Sequence, residues 1–241
     1  MSQPLLRPVS ARSAVLTALM ATHPPTLHAS ALVAGMEVLG FTETATRAAL
    51  SRMVTRGDLL REDAAYTLSE RLIARQQRVD EVHHPETRPW EGTWEMAIVT
   101  ATGRSAADRA ALRAQLQDMR VAELREGVWT RPANLRRGWP PELLAVSQCF
   151  ESRPLGDPAT LAAELWDLEE WAAYGRDLLV ALPGTLDSPA DRFTLVAAMV
   201  RHLQGDPLLP PALQPADWPG EALRAAYDDY RASMWPMRPR D

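Results

Sequence analysis

The order of local structure in residues 11–82 constrains the fold of this chain more than any other feature. Apolar residues recur at helical spacing in ARSAVLTALMATH, in HASALVAGMEVLG and in residues 42–57. Two short runs of β-prone residues follow, DLLRE and AAYTLSE, around a polar turn at Glu62 and Asp63, and then the helical RLIARQQRVDEV. Three helices, a hairpin and another helix in this order predict a winged helix-turn-helix.

The third helical segment has two chemically different faces. Thr42 is a good N-cap, and the segment ends at Gly57. The predicted apolar face consists of Ala45, Ala49, Leu50, Met53 and Val54. The opposite face consists of Thr44, Arg47, Ala48, Ser51, Arg52 and Thr55. A helix in a DNA major groove needs short hydrogen-bonding side chains near the base edges and arginines near the phosphates.

These observations favour contact with double-stranded DNA over the alternative, a solvated helix face with scattered charge. In the hairpin, Arg61 and Tyr66 are placed to reach a flanking phosphate or the minor groove, and Tyr66 is equally consistent with packing against the hairpin. The candidate DNA-binding residues are Thr44, Arg47, Ser51, Arg52, Arg56 and Arg61.

The charge distribution qualifies this prediction. A net charge of −5 argues weakly against a nucleic-acid-binding protein. Residues 1–88, however, carry ten arginines against nine acidic residues, so the acidic excess lies in residues 89–241. The sequence has no lysine, so an arginine at any one position indicates positive charge and nothing more specific.

The middle of the chain alternates extended and helical patterns. After a linker-like segment between Pro85 and Pro89, GTWEMAIVTA is extended, SAADRAALRAQLQDM is helical, and AELREGVWTRP is extended again. Residues 142–150 supply a candidate further strand. This alternation predicts a small α+β module.

The last part of the chain, from residue 156, is predicted to be helical. Asp157-Pro158 and Ser188-Pro189 each place a capping residue before a proline, which predicts two helix starts, and one helix is expected to continue from Pro158 to Ala172. The predicted fold class is α+β. The predicted domains are residues 1–84, 85–155 and 156–241.

Signatures of common catalytic and metal sites are missing from the sequence. Cys149 is the single cysteine and is expected to be an inert core thiol. His83 and His84, beside Glu86, are better explained as a linker or surface pair than as metal ligands. We therefore predict that the protein is not an enzyme and that it binds no cofactor and no metal. The N-terminus lacks a signal-peptide pattern and no run of about 18 apolar residues occurs, so we expect a cytoplasmic protein.

The chain has eight tryptophans, many for its length. Most lie between residues 90 and 171, near arginines such as Arg131, Arg136 and Arg137. Such a group can bind an aromatic acyl group and its phosphates, or it can pack the boundaries between modules.

Three stretches together resemble the PaaX-like family, the repressors of phenylacetic acid degradation. They are ATRAALSRMVTRGDLL (45–60), PWEGTWEMAIV with GVWTRP, and RHLQGDPLLPPALQPADWPG (201–220). The resemblance implies an N-terminal winged helix that binds an operator as part of a dimer, a ferredoxin-like central module similar to Cas2 proteins, and a helical C-terminal domain. It also implies release from DNA by an aromatic acyl-CoA, typically phenylacetyl-CoA.

Residues 45–60 correspond to the recognition helix of that family. For the effector we predict a site formed by Trp94, Arg131, Trp166, Trp171 and His202. The sequence departs from the family pattern at two places. The wing is short and acidic at Glu62-Asp63, which weakens the case for its contact with DNA, and Thr46 stands where the family usually has an aliphatic residue.

Two enzyme functions remain as alternatives. A Cas2-like nuclease needs a carboxylate near the end of its first strand to hold a divalent ion, and here that strand ends in residues 98–102 without one. An acyl-CoA-processing enzyme with a DNA-binding domain is the other alternative, and the missing pair of nucleophile and base argues against it.

Overall fold

A computed structural model describes residues 9–233, apart from some side chains within residues 75–82. The fold is α+β, as predicted. The described residues divide into two compact units, one of residues 9–83, 173–205 and 219–233 and one of residues 84–172 and 206–218. The division into domains 1–84, 85–155 and 156–241 stays a prediction, and residues 1–8 and 234–241 of its first and third domains lie outside the described part.

The first unit begins with the predicted helices and hairpin. Its N-terminal elements are α1 (Ala11–Met20), β1 (Thr26–His28), α2 (Ala29–Val38), α3 (Glu43–Thr55), β2 (Leu59–Glu62), β3 (Ala65–Leu68) and α4 (Glu70–His83). The strands form an antiparallel sheet in the order β1-β3-β2. Strand β1 was missed by the sequence pattern because three residues are too few to show alternation.

Local capping explains where α3 begins and ends. The Thr42 hydroxyl accepts a hydrogen bond from the amide of Ala45 at 3.2 Å, which satisfies one of the unpaired donors of the first turn. After the helix, Gly57 has a φ of +68°, a left-handed conformation that glycine adopts without strain. The chain therefore turns directly from α3 into β2.

The hydrophobic core of the first unit also contains C-terminal residues. Leu19, Leu50 and Leu68 pack in one cluster with Phe193 of α9 (Pro189–Leu203) and Tyr227 of α10 (Gly220–Ser233). Helices from both ends of the chain therefore share one core.

The second unit is built on an antiparallel sheet in the order β5-β6-β4-β7. Its elements are β4 (Trp94–Val99), α5 (Ala106–Asp118), β5 (Ala122–Arg125), β6 (Val128–Pro132), α6 (Pro141–Leu144), β7 (Ser147–Ser152) and α7 (Pro158–Leu165). The run AELREGVWTRP forms two strands because Gly127, with a φ of +74°, makes a turn inside it. Residues 142–150 begin in α6 and then supply strand β7.

The single helix expected from Pro158 to Ala172 is wrong, since two helices occupy this stretch. Trp166 is extended, with φ −136° and ψ 141°, and ends α7. The Asp167 carboxylate then accepts a hydrogen bond from the amide of Glu170 at 3.1 Å, at the start of α8 (Leu168–Ala181). A capping aspartate in mid-sequence therefore starts a new helix where the apolar spacing indicated continuation.

Candidate DNA-binding surface and tryptophan cluster

The exposed face of α3 carries the residues predicted to contact DNA. Thr44, Arg47, Ser51, Arg52 and the C-cap residue Arg56 are all exposed. The buried face consists of Thr46, Ala49, Leu50 and Met53. The outward face therefore combines two short hydroxyl side chains with three arginines.

The prediction of the apolar face is wrong at one residue. Ala45 is exposed, and Thr46 is fully buried in its place. The Thr46 hydroxyl donates to the carbonyl of Thr42 at 3.0 Å, so its polar group is satisfied within the helix while its methyl group packs. Threonine can therefore occupy this position without an unpaired buried hydroxyl.

Arg47 is held by a carboxylate on its own helix. Its Nε donates to Oε1 of Glu43 at 2.7 Å, one turn towards the N-terminus, and both side chains are more than half exposed. Glu43 was not among the predicted site residues. Its spacing of four residues before Arg47 is the sequence signal that could have identified it.

The β2–β3 hairpin carries one arginine and an acidic tip. Arg61 is exposed, and its Nε donates to the carbonyl of Asp63 at 3.0 Å. Tyr66 is buried in β3, with the Arg61 guanidinium 5.9 Å from its ring centre. The packing interpretation of Tyr66 is therefore confirmed, and Arg61 is the arginine that this hairpin exposes.

A buried carboxylate fixes the junction between α3 and the hairpin. Asp58 is 3 % exposed, and its two oxygens accept hydrogen bonds from Arg12 of α1 at 2.8 Å and from Arg71 of α4 at 2.7 Å. The hydrogen bond from Arg12, assisted by the charge of both guanidinium groups, lowers the pKa of Asp58 below its usual value. Asp58 therefore stays ionised and joins three elements around the candidate DNA-binding face.

Four of the five predicted effector residues lie in the second unit. Trp94 and Trp166 belong to one apolar cluster with Leu168, and Trp171 stacks on Trp218 with ring centres 4.3 Å apart. Trp94 is 1 % exposed, and among residues 9–233 its indole N–H has no acceptor. We use "tryptophan cluster" for the following residues: Trp90, Trp94, Trp166, Trp171 and Trp218.

Arg131 is fully buried and bonded within the protein. Its Nη2 donates to Oδ1 of Asn134 at 2.8 Å and to the carbonyl of Leu208 at 3.0 Å, and its Nε lies 3.5 Å from the Glu95 carboxylate. Burial lowers the pKa of Arg131, and the charge of Glu95 opposes this effect. Because its donors bond to protein acceptors, Arg131 anchors residues 206–218 to the sheet of the second unit.

His83 and His202 both contact aromatic rings in the first unit. His202, the fifth predicted effector residue, is half-buried with its ring 5.0 Å from that of Tyr174. His83 is buried and stacks on Tyr227 at 3.9 Å. The prediction that His83 belongs to a surface pair is therefore wrong, because α4 extends to this residue and places it against α10.

Family models match most of the chain. They are "PaaX-like protein" at residues 10–72, "PaaX protein central Cas2-like domain" at 87–144 and "PaaX-like protein C-terminal domain" at 166–238. The chain belongs to the PaaX-like family. The family supports a role as a regulator of phenylacetic acid catabolism, and α3 lies within the first matched range.

A solved structure has the same fold as this PaaX-like protein. It is described as "Uncharacterized protein Rv0674 from Mycobacterium tuberculosis" and is 46 % identical in sequence, with a TM-score of 0.82. The similarity covers 95 % of this chain and 97 % of that one. A comparison with curated proteins gives no match.

Within residues 9–233, no helix has both the length and the apolar character needed to cross a bilayer. The same part of the chain contains no group of three or more His, Cys, Asp or Glu side chains arranged to hold a metal ion.

Proposed function

We propose that this PaaX-like protein is a DNA-binding transcriptional repressor of a catabolic operon and is released from its operator by an aromatic acyl-CoA such as phenylacetyl-CoA. The observation that carries the proposal is the outward face of α3, which presents Thr44, Arg47 and Ser51 to solvent within the residues matched by the first family model. Short polar side chains and arginines on one helix face are what base-edge contact in a major groove needs.

The proposed DNA-binding species is a homodimer. Its two α3 helices would enter successive major grooves about 34 Å apart, which requires a repeated half-site in the operator. In each half-site Thr44, Arg47 and Ser51 face the base edges, and Arg52, Arg56 and Arg61 supply positive charge to the phosphates.

The proposed effector site uses the tryptophan cluster. Trp166 and Trp171 are half-buried, so each has ring surface available to an aromatic acyl group. The buried N–H of Trp94 would gain an acceptor if the thioester carbonyl of the effector reached it. Arg131 acts in this proposal as the anchor of the cluster and not as a phosphate ligand, and a contribution from His202 stays a prediction.

Release from DNA requires a difference in affinity between two conformations. The acyl-CoA must bind the conformation that does not fit the operator more tightly, by about 1–3 kcal/mol of coupling. The coupling is reciprocal, so operator DNA must weaken acyl-CoA binding by the same factor.

The test is fluorescence anisotropy of labelled DNA from the region upstream of the protein's own gene, at one salt concentration, with and without phenylacetyl-CoA. Salt is held constant because phosphate contacts dominate affinity. We expect specific binding that falls about 5- to 150-fold when the thioester is added. Specific binding that phenylacetyl-CoA does not weaken would rule out this thioester as the effector while the repressor function stands, and other acyl-CoAs would then be titrated. Absence of specific binding would contradict the repressor function, and nuclease and acyl-CoA turnover assays would follow.

Replacing Arg47 with alanine should weaken operator binding about 10-fold or more without loss of fold, since the side chain is exposed and its ion pair is with Glu43 on the same helix. The measurement is the same anisotropy titration, with circular dichroism to verify folding. Arg125→Ala, which removes an exposed arginine from β5 in the second unit, is the matched control and should bind as the parent does. If Arg47→Ala and the parent bind the operator with equal affinity, α3 is not the helix that reads the operator.

A further inference from the structure

The ion pair between Glu43 and Arg47 leaves the end of the guanidinium open. Oε1 of Glu43 accepts from Nε of Arg47 at 2.7 Å. Within residues 9–233, Nη1 and Nη2 of Arg47 have no hydrogen-bond partner. Because the guanidinium is a rigid plane, a bond at Nε restricts the direction in which the two Nη groups point.

Arg47 differs from the other candidate DNA-binding arginines because it forms an ion pair with a carboxylate. Arg52, Arg56 and Arg61 form no ion pair with a carboxylate among the residues that the structure describes, so their charges are available to phosphates. The charge of Arg47 is balanced by Glu43, and a balanced pair contributes little to a non-specific attraction for DNA. The carboxylate of Glu43 repels DNA phosphates. A role of the ion pair in recognition would account for a carboxylate on this face.

We propose that Glu43 is a positioning residue that holds Arg47 so that its Nη groups read a guanine in the operator half-site. This inference rests on the proposed function. In the major groove guanine presents two adjacent acceptors, O6 and N7, and a bidentate arginine is the most common specific contact to them. A guanidinium oriented in advance loses less side-chain freedom when it binds, so base discrimination depends on Glu43 as well as on Arg47.

The experiment is selection of binding sites from a random double-stranded DNA library, followed by affinity measurements at several salt concentrations. The parent, Arg47→Ala, Glu43→Ala and Glu43→Gln are compared. Glu62→Ala is the matched control because it removes the same charge from an exposed position of the wing. We expect the parent to prefer guanine at one position of each half-site by about 10-fold or more.

Arg47→Ala and Glu43→Ala should both reduce this preference to below about threefold, whereas Glu43→Gln keeps an acceptor for Nε and should restore part of it. Glu43→Ala also frees the charge of Arg47 for a phosphate. Its affinity for non-specific DNA should therefore rise, and the slope of log affinity against log salt should steepen by about 0.9. A role of Glu43 in helix stability alone would lower specific and non-specific binding together.

The outcomes separate this inference from the function on which it rests. If Glu43→Ala selects the parent's motif with the parent's discrimination, the positioning role is wrong while the repressor proposal stands. If Glu43→Ala weakens binding to all DNA and lowers the melting temperature, Glu43 is a helix-stabilising residue and the inference is also wrong. A parent that selects no motif overturns both proposals.

Discussion

Replacing Arg131 with methionine is expected to lower the free energy of unfolding of the second unit by about 3–5 kcal/mol. Arg131 is fully buried, and methionine would leave the side chain of Asn134 and the carbonyl of Leu208 with fewer donors. Glu95 would lose its ion pair with Arg131, although Arg137 would still pair with it.

Tryptophan fluorescence during urea denaturation measures this effect directly. Seven of the eight tryptophans lie in the second unit and the eighth is Trp235, so in a Trp235→Phe background the emission reports on the unfolding of that unit. Arg125→Met is the matched control, since this arginine is exposed on β5, and it should change the free energy by less than about 0.5 kcal/mol. Arg131→Lys keeps the charge without the planar fork and should recover a small part of the loss. A loss below about 1 kcal/mol for Arg131→Met would contradict the anchoring role.

The same variants bear on the effector proposal. If Arg131 contacted acyl-CoA phosphates, a folded Arg131→Lys protein would lose release from DNA by the acyl-CoA to a greater extent than it loses stability. If it acts as an anchor of the tryptophan cluster, the response should decline together with stability. Stability and effector titrations on one protein therefore distinguish the two roles.

Local sequence signals predicted the elements around the proposed DNA-binding face. Thr42 and Gly57 mark the ends of α3 because capping and a left-handed turn depend on single residues. The hairpin also followed from composition and spacing. The error at Ala45 and Thr46 arose because a threonine that bonds to the carbonyl four residues earlier behaves as an apolar residue, which a polarity pattern does not show.

Contacts between residues distant in the sequence could not be predicted in this way. Arg131 and Leu208 are 77 positions apart, and Arg12 and Asp58 are 46 apart. In the sequence each is an ordinary charged or apolar residue, and tertiary packing alone decides which charges become buried. For the same reason, the core shared by α3 and the C-terminal helix α10 was not predicted.

The second large effect is expected at Asp58, in the first unit. Asp58→Asn should lower the free energy of unfolding at pH 7 by about 2–3 kcal/mol, because it removes the carboxylate that accepts from Arg12 and Arg71. The loss is expected below the upper end for buried ion pairs because both arginines remain partly exposed to water. Circular dichroism during thermal or urea unfolding gives the measurement.

The pH dependence of the parent should identify the carboxylate as the cause. The folded protein lowers the pKa of Asp58, so the stabilisation is complete above the unfolded pKa of about 3.9 and is lost as the pH falls through the folded value. The difference in stability between the parent and Asp58→Asn should therefore shrink as the pH is lowered from 7 to 3. Asp63→Asn, at an exposed position of the same hairpin, is the matched control. A difference that stays constant over this range would mean that packing, and not the charge of Asp58, joins α1, α4 and the start of β2 beside the proposed DNA-binding face.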